Sequence, residues 1–250
     1  MSADDFPITD KNRVKRSYKR ACYDKQTIYN ILDSSALAHV AYVIDGEPFC
    51  TPTCYWRDGD MLYWHGSSAS RMMKNLANGV SVCVTVSHLD GFVLARSGFH
   101  HSVNYRSAMC FGKAIEITSP DEKRRALETM VNRFYPDRTK ELRPVTPQEL
   151  KATSVIAMKI ESAAAKCRSS AVGDDKEDYS VRIWAGIIPV KTTIGSFEPD
   201  QYLEENIKPA QPLLDIFKQG RQLDDALVKA QNIYEKQHKN AAGGSVDDSC

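Results

Sequence analysis

Residues 81–87 alternate without exception: Val82, Val84 and Val86 on one side, Ser81, Cys83, Thr85 and Ser87 on the other. A period of two predicts a half-buried strand. An apolar run over residues 38–44, the Asp45-Gly46 turn signal and a second run over 49–56 predict a hairpin. Asp58-Gly59-Asp60 then turns the chain into a third strand over residues 61–65. Asp90-Gly91 reads as another turn, leading into a strand over residues 92–97. A long strand follows over 105–117, with Gly112 as a bend or bulge, and another over 155–161.

The helices have a period near 3.6. Asp24 predicts the N-cap of a helix over residues 25–32 that turns Ile28, Ile31 and Leu32 inward. Ser119-Pro120-Asp121-Glu122 reads as a capping box with proline at the first helical position. The helix it opens buries Leu127, Met130, Val131 and Phe134 and stops at Pro136. Thr146-Pro147-Gln148-Glu149 repeats that signature for a short helix. Leu223, Ala226, Leu227, Ala230 and Ile233 share one side of a final helix over residues 222–237.

Many short strands joined by tight turns, with helices between them, predict a mainly β, α+β chain closed into an antiparallel barrel rather than a parallel sheet. Four segments follow from this reading. They are a basic N-terminal arm (1–20), the barrel domain (21–190), a proline-broken helical extension (191–240) and a Gly/Ser/Asp-rich tail (241–250) expected to be disordered.

The 250 residues carry a formal net charge of +1, which gives no bulk pull toward nucleic acid or a membrane. The basic cluster Lys11, Arg13, Lys15, Arg16, Lys19 and Arg20 is flanked by Asp4, Asp5, Asp10 and Asp24. It reads as an arm packed on the body or on a partner subunit. No apolar run approaches the ~20 residues of a membrane span. Residues 1–6 are acidic, unlike a secretion signal, so a cytoplasmic protein is expected. Seven cysteines without a CxxC motif indicate neither a disulfide framework nor a zinc site. Cys83 and Cys110 read as small buried hydrophobes, and Cys50 and Cys54 are too far apart along one strand to bond.

The candidate chemistry lies in residues 65–79: a strand end, a small-residue turn and a short helix carrying Arg71 and Lys74. A helix start offers unpaired N–H groups and a positive dipole end, and Ser67, Ser68 and Ser70 add hydroxyls. Both cationic side chains can lean back toward that point, so a phosphate fits. The same residues also fit an ordinary helix. Ala69, Met72, Met73 and Leu76 would then be its core face, Ser67 or Ser68 its cap, and Gly79 its C′ residue. His65 reads equally as a ligand contact or as a strand-end histidine bonded to backbone. Arg106 lines a pocket or forms a structural salt bridge; Lys166 and Arg168 face an acidic group or an open edge. His100 and His101 point opposite ways in an extended strand, and no ligand spacing supports a metal. No nucleophile pattern supports hydrolysis.

Several blocks carry a family resemblance: Tyr63-Trp64-His65-Gly66-Ser67, Ser70-Arg71, residues 90–97 (DGFVLARS), residues 99–107 (FHHSVNYRS), Ala165-Lys166-Cys167-Arg168 and Trp184-Ala185-Gly186. Over about residues 13–190 the chain resembles the pyridoxamine 5′-phosphate oxidase-like superfamily, in its flavin-nucleotide-binding branch related to the nitroimidazole-resistance proteins. The resemblance implies a split β-barrel, an antiparallel Greek-key barrel with peripheral helices, that binds FMN at a homodimer interface. It places Ser67, Ser70, Arg71 and Lys74 on the FMN phosphate. Thr51, Thr53 and Cys54 fall at the isoalloxazine edge, with His65, Arg106 and Ser107 bordering the pocket. Trp184 becomes a flavin contact from the partner chain. The basic C-terminal segment with which the vitamin B6 oxidases hold substrate phosphate is absent: Ala-Gly-Ile-Ile-Pro-Val-Lys-Thr-Thr follows Trp184. That argues against pyridoxamine phosphate oxidation. The expectation is an FMN-dependent oxidoreductase that takes electrons from a donor such as NAD(P)H and passes them to a small molecule. The alternative is a non-enzymatic flavin or haem carrier on the same barrel.

Overall fold

The alternation at residues 81–87 belongs to a much longer strand. In the computed structural model, which describes residues 4–243, one strand runs unbroken from Asn78 to Leu94. In chain order the elements are β1 (Ala21–Cys22), α1 (Lys25–Asp33), β2 (Leu37–Ile44), β3 (Glu47–Asp58), β4 (Met61–Ser67), α2 (Arg71–Leu76), β5 (Asn78–Leu94) and β6 (Ser102–Glu116). Then come α3 (Pro120–Phe134), α4 (Pro147–Ala152), β7 (Thr153–Lys159), β8 (Ser162–Arg168), β9 (Gly186–Pro189), α5 (Gln211–Ile216) and α6 (Leu223–Gly243).

Six strands close on themselves in the order β6-β7-β4-β3-β2-β5, with β5 pairing back to β6. Strands β2, β3 and β4 are joined by two tight hairpins, and β5 returns to lie beside β2, which is a Greek key. The first hairpin turns as predicted: Asp45 and Gly46 take φ of 52° and 84°, the positive pair a type I′ turn requires. All pairings are antiparallel.

The barrel is split along β5 and β6. One edge of β6 pairs with β8 over Tyr105–Phe111 and then with β7 over Ala114–Glu116. One edge of β5 pairs with β2 at Cys83–Thr85 and then with β9 over Gly91–Leu94. Two predicted punctuation marks are corrected here. Asp90-Gly91 is no hairpin turn; it sits at a register shift inside β5. Gly91 is glycine because β9 passes close by: an added Cβ would lie 2.9 Å from the Ile188 carbonyl oxygen. Nor is Gly112 a bulge, since the register runs through it unshifted. It stands where β6 passes from β8 to β7, and a Cβ there would meet the Lys159 carbonyl oxygen at 2.2 Å. Backbone cannot move aside as a side chain can. Gly112→Ala is therefore expected to cost about 2–3 kcal/mol, read as a lower urea midpoint at unchanged m-value.

The core fills the barrel. Val82, Val84 and Val86 face Val40, Leu62, Trp64 and Met158, and α1 and α2 add Ile28, Leu32, Met73 and Leu76. Cys110 is buried as expected, whereas Cys83 is only half-buried, on the opposite face of β5 from the valines and beside Thr85. Ala69 lies exposed ahead of α2, so the core face of that helix is Met72, Met73 and Leu76. Outside the wall, α3 and α6 cover Trp56 and Val155 with Phe134 and Leu227. Ile216 of α5 packs beneath Ala226 and Ala230.

Salt bridges fasten this outer layer. Arg57 of β3 donates from Nε and Nη2 to the two oxygens of Asp33 in α1, at 2.8 and 2.6 Å, and from Nη2 to Glu235 of α6 at 2.7 Å. Arg133 of α3 donates to the Asp33 backbone carbonyl at 3.0 Å. The N-terminal arm packs on the body: Phe6 is buried, and Asn12 donates to the Ala163 carbonyl at 2.8 Å. Of the tail predicted to be disordered over 241–250, residues 241–243 continue α6; the remainder lies outside the described residues.

Candidate functional site

The β4–α2 corner is built from small residues whose backbone N–H groups are engaged within the protein: Ser68 donates to the Ala152 carbonyl and Ser70 to the Ser67 carbonyl, both at 2.9 Å. Ser67 ends β4, and its Oγ accepts the Ala69 N–H at 3.2 Å. The helix N-cap is Ser70, not Ser67 or Ser68, and its hydroxyl makes no capping bond. Gly79, with φ of 79°, follows the C-cap Ala77 and opens β5 beside a register shift. Arg71 and Lys74 are exposed and form no ion pair among the described residues. Arg71 holds its guanidinium 4.5 Å from the Phe49 ring centroid. The ring of Phe49 stacks on that of Tyr42 at 5.6 Å, and the Tyr42 hydroxyl is 3.0 Å from that of Thr51. These contacts link Arg71 to the inward face of β3, where Thr51 and Thr53 lie opposite the buried Val40 and Ala38. Phe49 and Tyr42, which the sequence reading did not select, thus seat the cationic group. Their signal was the apolar alternation that placed them in strands, and nothing in it pointed to a site.

Cys54 and His65 stand on the outer face of the same wall. Cys54 packs against the cluster around Trp56, and burial raises its thiol pKa. The His65 ring lies 6.2 Å from that of Trp56, and its Nδ1 is buried without a hydrogen-bond partner. The backbone therefore leaves that nitrogen unsatisfied. Burial holds the His65 imidazole below its usual pKa of 6.5. Burial and then the Arg106 charge lower His88 as well, against Asp90 and Asp224. As pH falls through 6.5 the unfolded chain takes up these protons before the native one, so the native state loses stability. The urea midpoint should drop below pH 6.5, and a His65→Gln, His88→Gln variant should drop less. Parallel pH profiles would refute this.

Arg106 and Ser107 are engaged elsewhere. Arg106 gives Nε and Nη2 to Asp90, at 3.0 and 2.8 Å, and Nη2 to Asp224 of α6 at 3.1 Å. The salt bridge of its two readings is present, and Arg106 also lines the cavity bounded by Ser34, His88 and Pro189. The Ser107 hydroxyl donates to the Lys166 carbonyl at 3.2 Å. Lys166 and Arg168 share a face of β8, and Arg168 donates to Asn104 Oδ1 at 2.6 Å. A tight helical turn at Gly98–His100 separates the two histidines: His100 meets Asp175 at 3.2 Å, and His101 meets the Ser97 carbonyl at 2.8 Å. His100, Asp175 and Asp178 gather their ligand atoms within 4.8 Å, with Asp175 exposed.

Trp184 is 64% exposed and folds back on its own motif. A Cβ on Gly186 would lie 2.7 Å from its ring, so a side chain there would turn the exposed indole out of this position. Phe92, Phe99, Ile183, Ile187 and Ile188 are also exposed, on β5, β9 and the adjoining loops. Among the described residues no helix is long and apolar enough to cross a membrane.

Comparison with known proteins gives three findings. The family model described as pyridoxamine 5′-phosphate oxidase matches residues 24–167. The flavocytochrome Anf3 of Azotobacter vinelandii is 40% identical at a TM-score of 0.79, over 85% of this chain and 98% of its own. The FAD and heme binding protein of Mycobacterium smegmatis is 34% identical at a TM-score of 0.76, over 82% and 98%. Among curated proteins none matches.

Proposed function

The chain belongs to the pyridoxamine 5′-phosphate oxidase family, and from that premise we propose that it is a flavin-binding redox protein that also carries haem. The observation that carries the flavin is the β4–α2 corner, where the side chains of Ser70, Arg71 and Lys74 bring a hydroxyl without a capping bond and two cations without an ion pair among the described residues to one helix start. Riboflavin phosphate is common to FMN and FAD, so the corner suits either. The FAD and haem in the second similar structure favour FAD over FMN. Both similar structures also match beyond the family model's limit at residue 167.

Ser67, Ser70, Arg71 and Lys74 would hold the phosphate. Thr51 and Thr53, on the strand that seats Arg71, would orient the ring. A second copy of the chain would bring Trp184 over it, which gives the exposed apolar surface around β9 a homodimer to bury. For haem, His65 fits as an iron ligand: its buried Nδ1 has no partner, and burial favours the neutral imidazole a metal needs. Bound there, the two groups supply hydride acceptance and single-electron transfer. NAD(P)H as donor and a small molecule as acceptor complete the reading. The segment after Trp184 carries Lys191 but no arginine or histidine up to Thr193, so it lacks the Arg- and His-bearing pattern for a substrate phosphate, which disfavours pyridoxamine phosphate as substrate.

The test is the absorption spectrum of the purified protein. A flavin band and a Soret band are expected, with FAD released on denaturation and identified by mass. His65→Ala should lose the Soret band and keep the flavin. A colourless protein that takes up neither added flavin nor haemin would overturn the reading.

A further inference from the structure

A second binding region lies on the outer wall, away from α2. A cleft of about 530 Å³ opens between β3, β4 and β7 on one side and α3 and α6 on the other. Tyr63 and Tyr234 line it. Tyr63 is backed by Trp56, whose ring stacks on it at 5.5 Å and 12°; Tyr234 is backed by His238 at 4.0 Å. Trp56 also lines the cleft, is 1% exposed, and leaves its indole Nε1 without a hydrogen-bond partner. A buried indole N–H without an acceptor is costly and calls for a ligand or water oxygen.

The charge around these rings is one-sided. Asp58, Glu122 and Glu128 line the cleft, and none forms an ion pair among the described residues. Arg125 is the one arginine or lysine among the lining residues. The negative charge is felt inside. Burial raises the Tyr63 and Tyr234 hydroxyls; a hydrogen bond with Thr129 works against this at Tyr234, and the Asp58 carboxylate adds to it at both. Phosphate-bearing nucleotides are repelled by such a rim, so this is no second dinucleotide site.

We propose that this cleft binds an organic cation, an ammonium or pyridinium group on an aromatic or alkyl body, drawn by Asp58, Glu122 and Glu128 and seated against Tyr63 and Tyr234. An oxygen acceptor on the same ligand would satisfy the Trp56 N–H. The site does not depend on the flavin corner; its Trp56 wall borders His65, so the titration is run on protein with and without bound haem.

Benzyltrimethylammonium, titrated calorimetrically into the full-length protein, is the probe, with benzyl alcohol and benzoate as neutral and anionic counterparts. The cation should bind about tenfold tighter than benzyl alcohol, and benzoate should not bind. An Asp58→Asn, Glu122→Gln variant should lose that preference while its melting temperature holds. Arg125→Gln, which removes the opposing charge, should bind the cation more tightly. A tightening cannot come from misfolding, so this arm remains decisive if the acidic variant folds poorly. Undetectable cation binding, equal binding of the three probes, or an Arg125→Gln variant no tighter than the parent would overturn the proposal.

Discussion

Asp33→Ala is expected to destabilise the native state by about 3 kcal/mol, because it takes a carboxylate away from two buried guanidiniums at once. Asp33 takes both donors of the Arg57 fork and lies 3.7 Å from Arg133 Nη2. The side chains of Arg57 and Arg133 are 5% and 1% exposed. Burial works against the Arg57 charge, but Asp33 and Glu235 outweigh it and raise its pKa. Without Asp33, Arg57 keeps Glu235, the Gly59 carbonyl and the Tyr29 ring, and Arg133 already has two nitrogens without partners. The surface pair Arg143–Glu149, with side chains 67% and 44% exposed, is the control; Arg143→Ala should cost far less than Asp33→Ala, because solvent screens the pair. Urea unfolding measures both. If Asp33→Ala costs no more than Arg143→Ala, the buried network contributes nothing net. A joint Asp33→Leu, Arg57→Met replacement should recover part of the loss, since it removes the charges together.

Arg71→Ala should weaken flavin binding roughly ten- to hundredfold, the worth of one charge-assisted bond of about 1.5–3 kcal/mol. Stability should barely change, because Arg71 is exposed and its one described side-chain contact is the Phe49 ring. Titration of flavin fluorescence into stripped protein reads the affinity, and the loss should shrink at high salt as the charge is screened. Arg71→Lys should recover only part of it, since lysine lacks the planar fork. Unchanged affinity in Arg71→Ala would return the corner to an ordinary helix start.

The barrel was legible because its strands are half-buried and alternate. Val82, Val84 and Val86 announced their face, and Asp45-Gly46 announced a turn whose dihedrals only such residues adopt readily. Two of the misreadings are glycines. Asp90-Gly91 and Gly112 looked like turn and bulge signals, yet each glycine answers to a neighbouring strand's backbone that is distant in sequence. One chain read alone does not show which strand passes overhead. The same limit hid the Asp33–Arg57–Arg133–Glu235 network, whose members come from four elements. Of the site, the Ser-Arg-Lys corner was visible because a strand end and a helix start lie within a few residues. Its aromatic seat, Phe49 and Tyr42, was not, because a hairpin brings it there.

The last helix is joined to the rest of the chain in two independent ways. Covalently it hangs from a connector whose residues 195–209 are all exposed. Non-covalently it is clasped by Glu235 on Arg57, by Asp224 on Arg106 and by the Leu227 contact beneath. A protease that nicks the connector would therefore leave a two-piece molecule that still migrates as one, the helix behaving as a detachable subunit of its own protein.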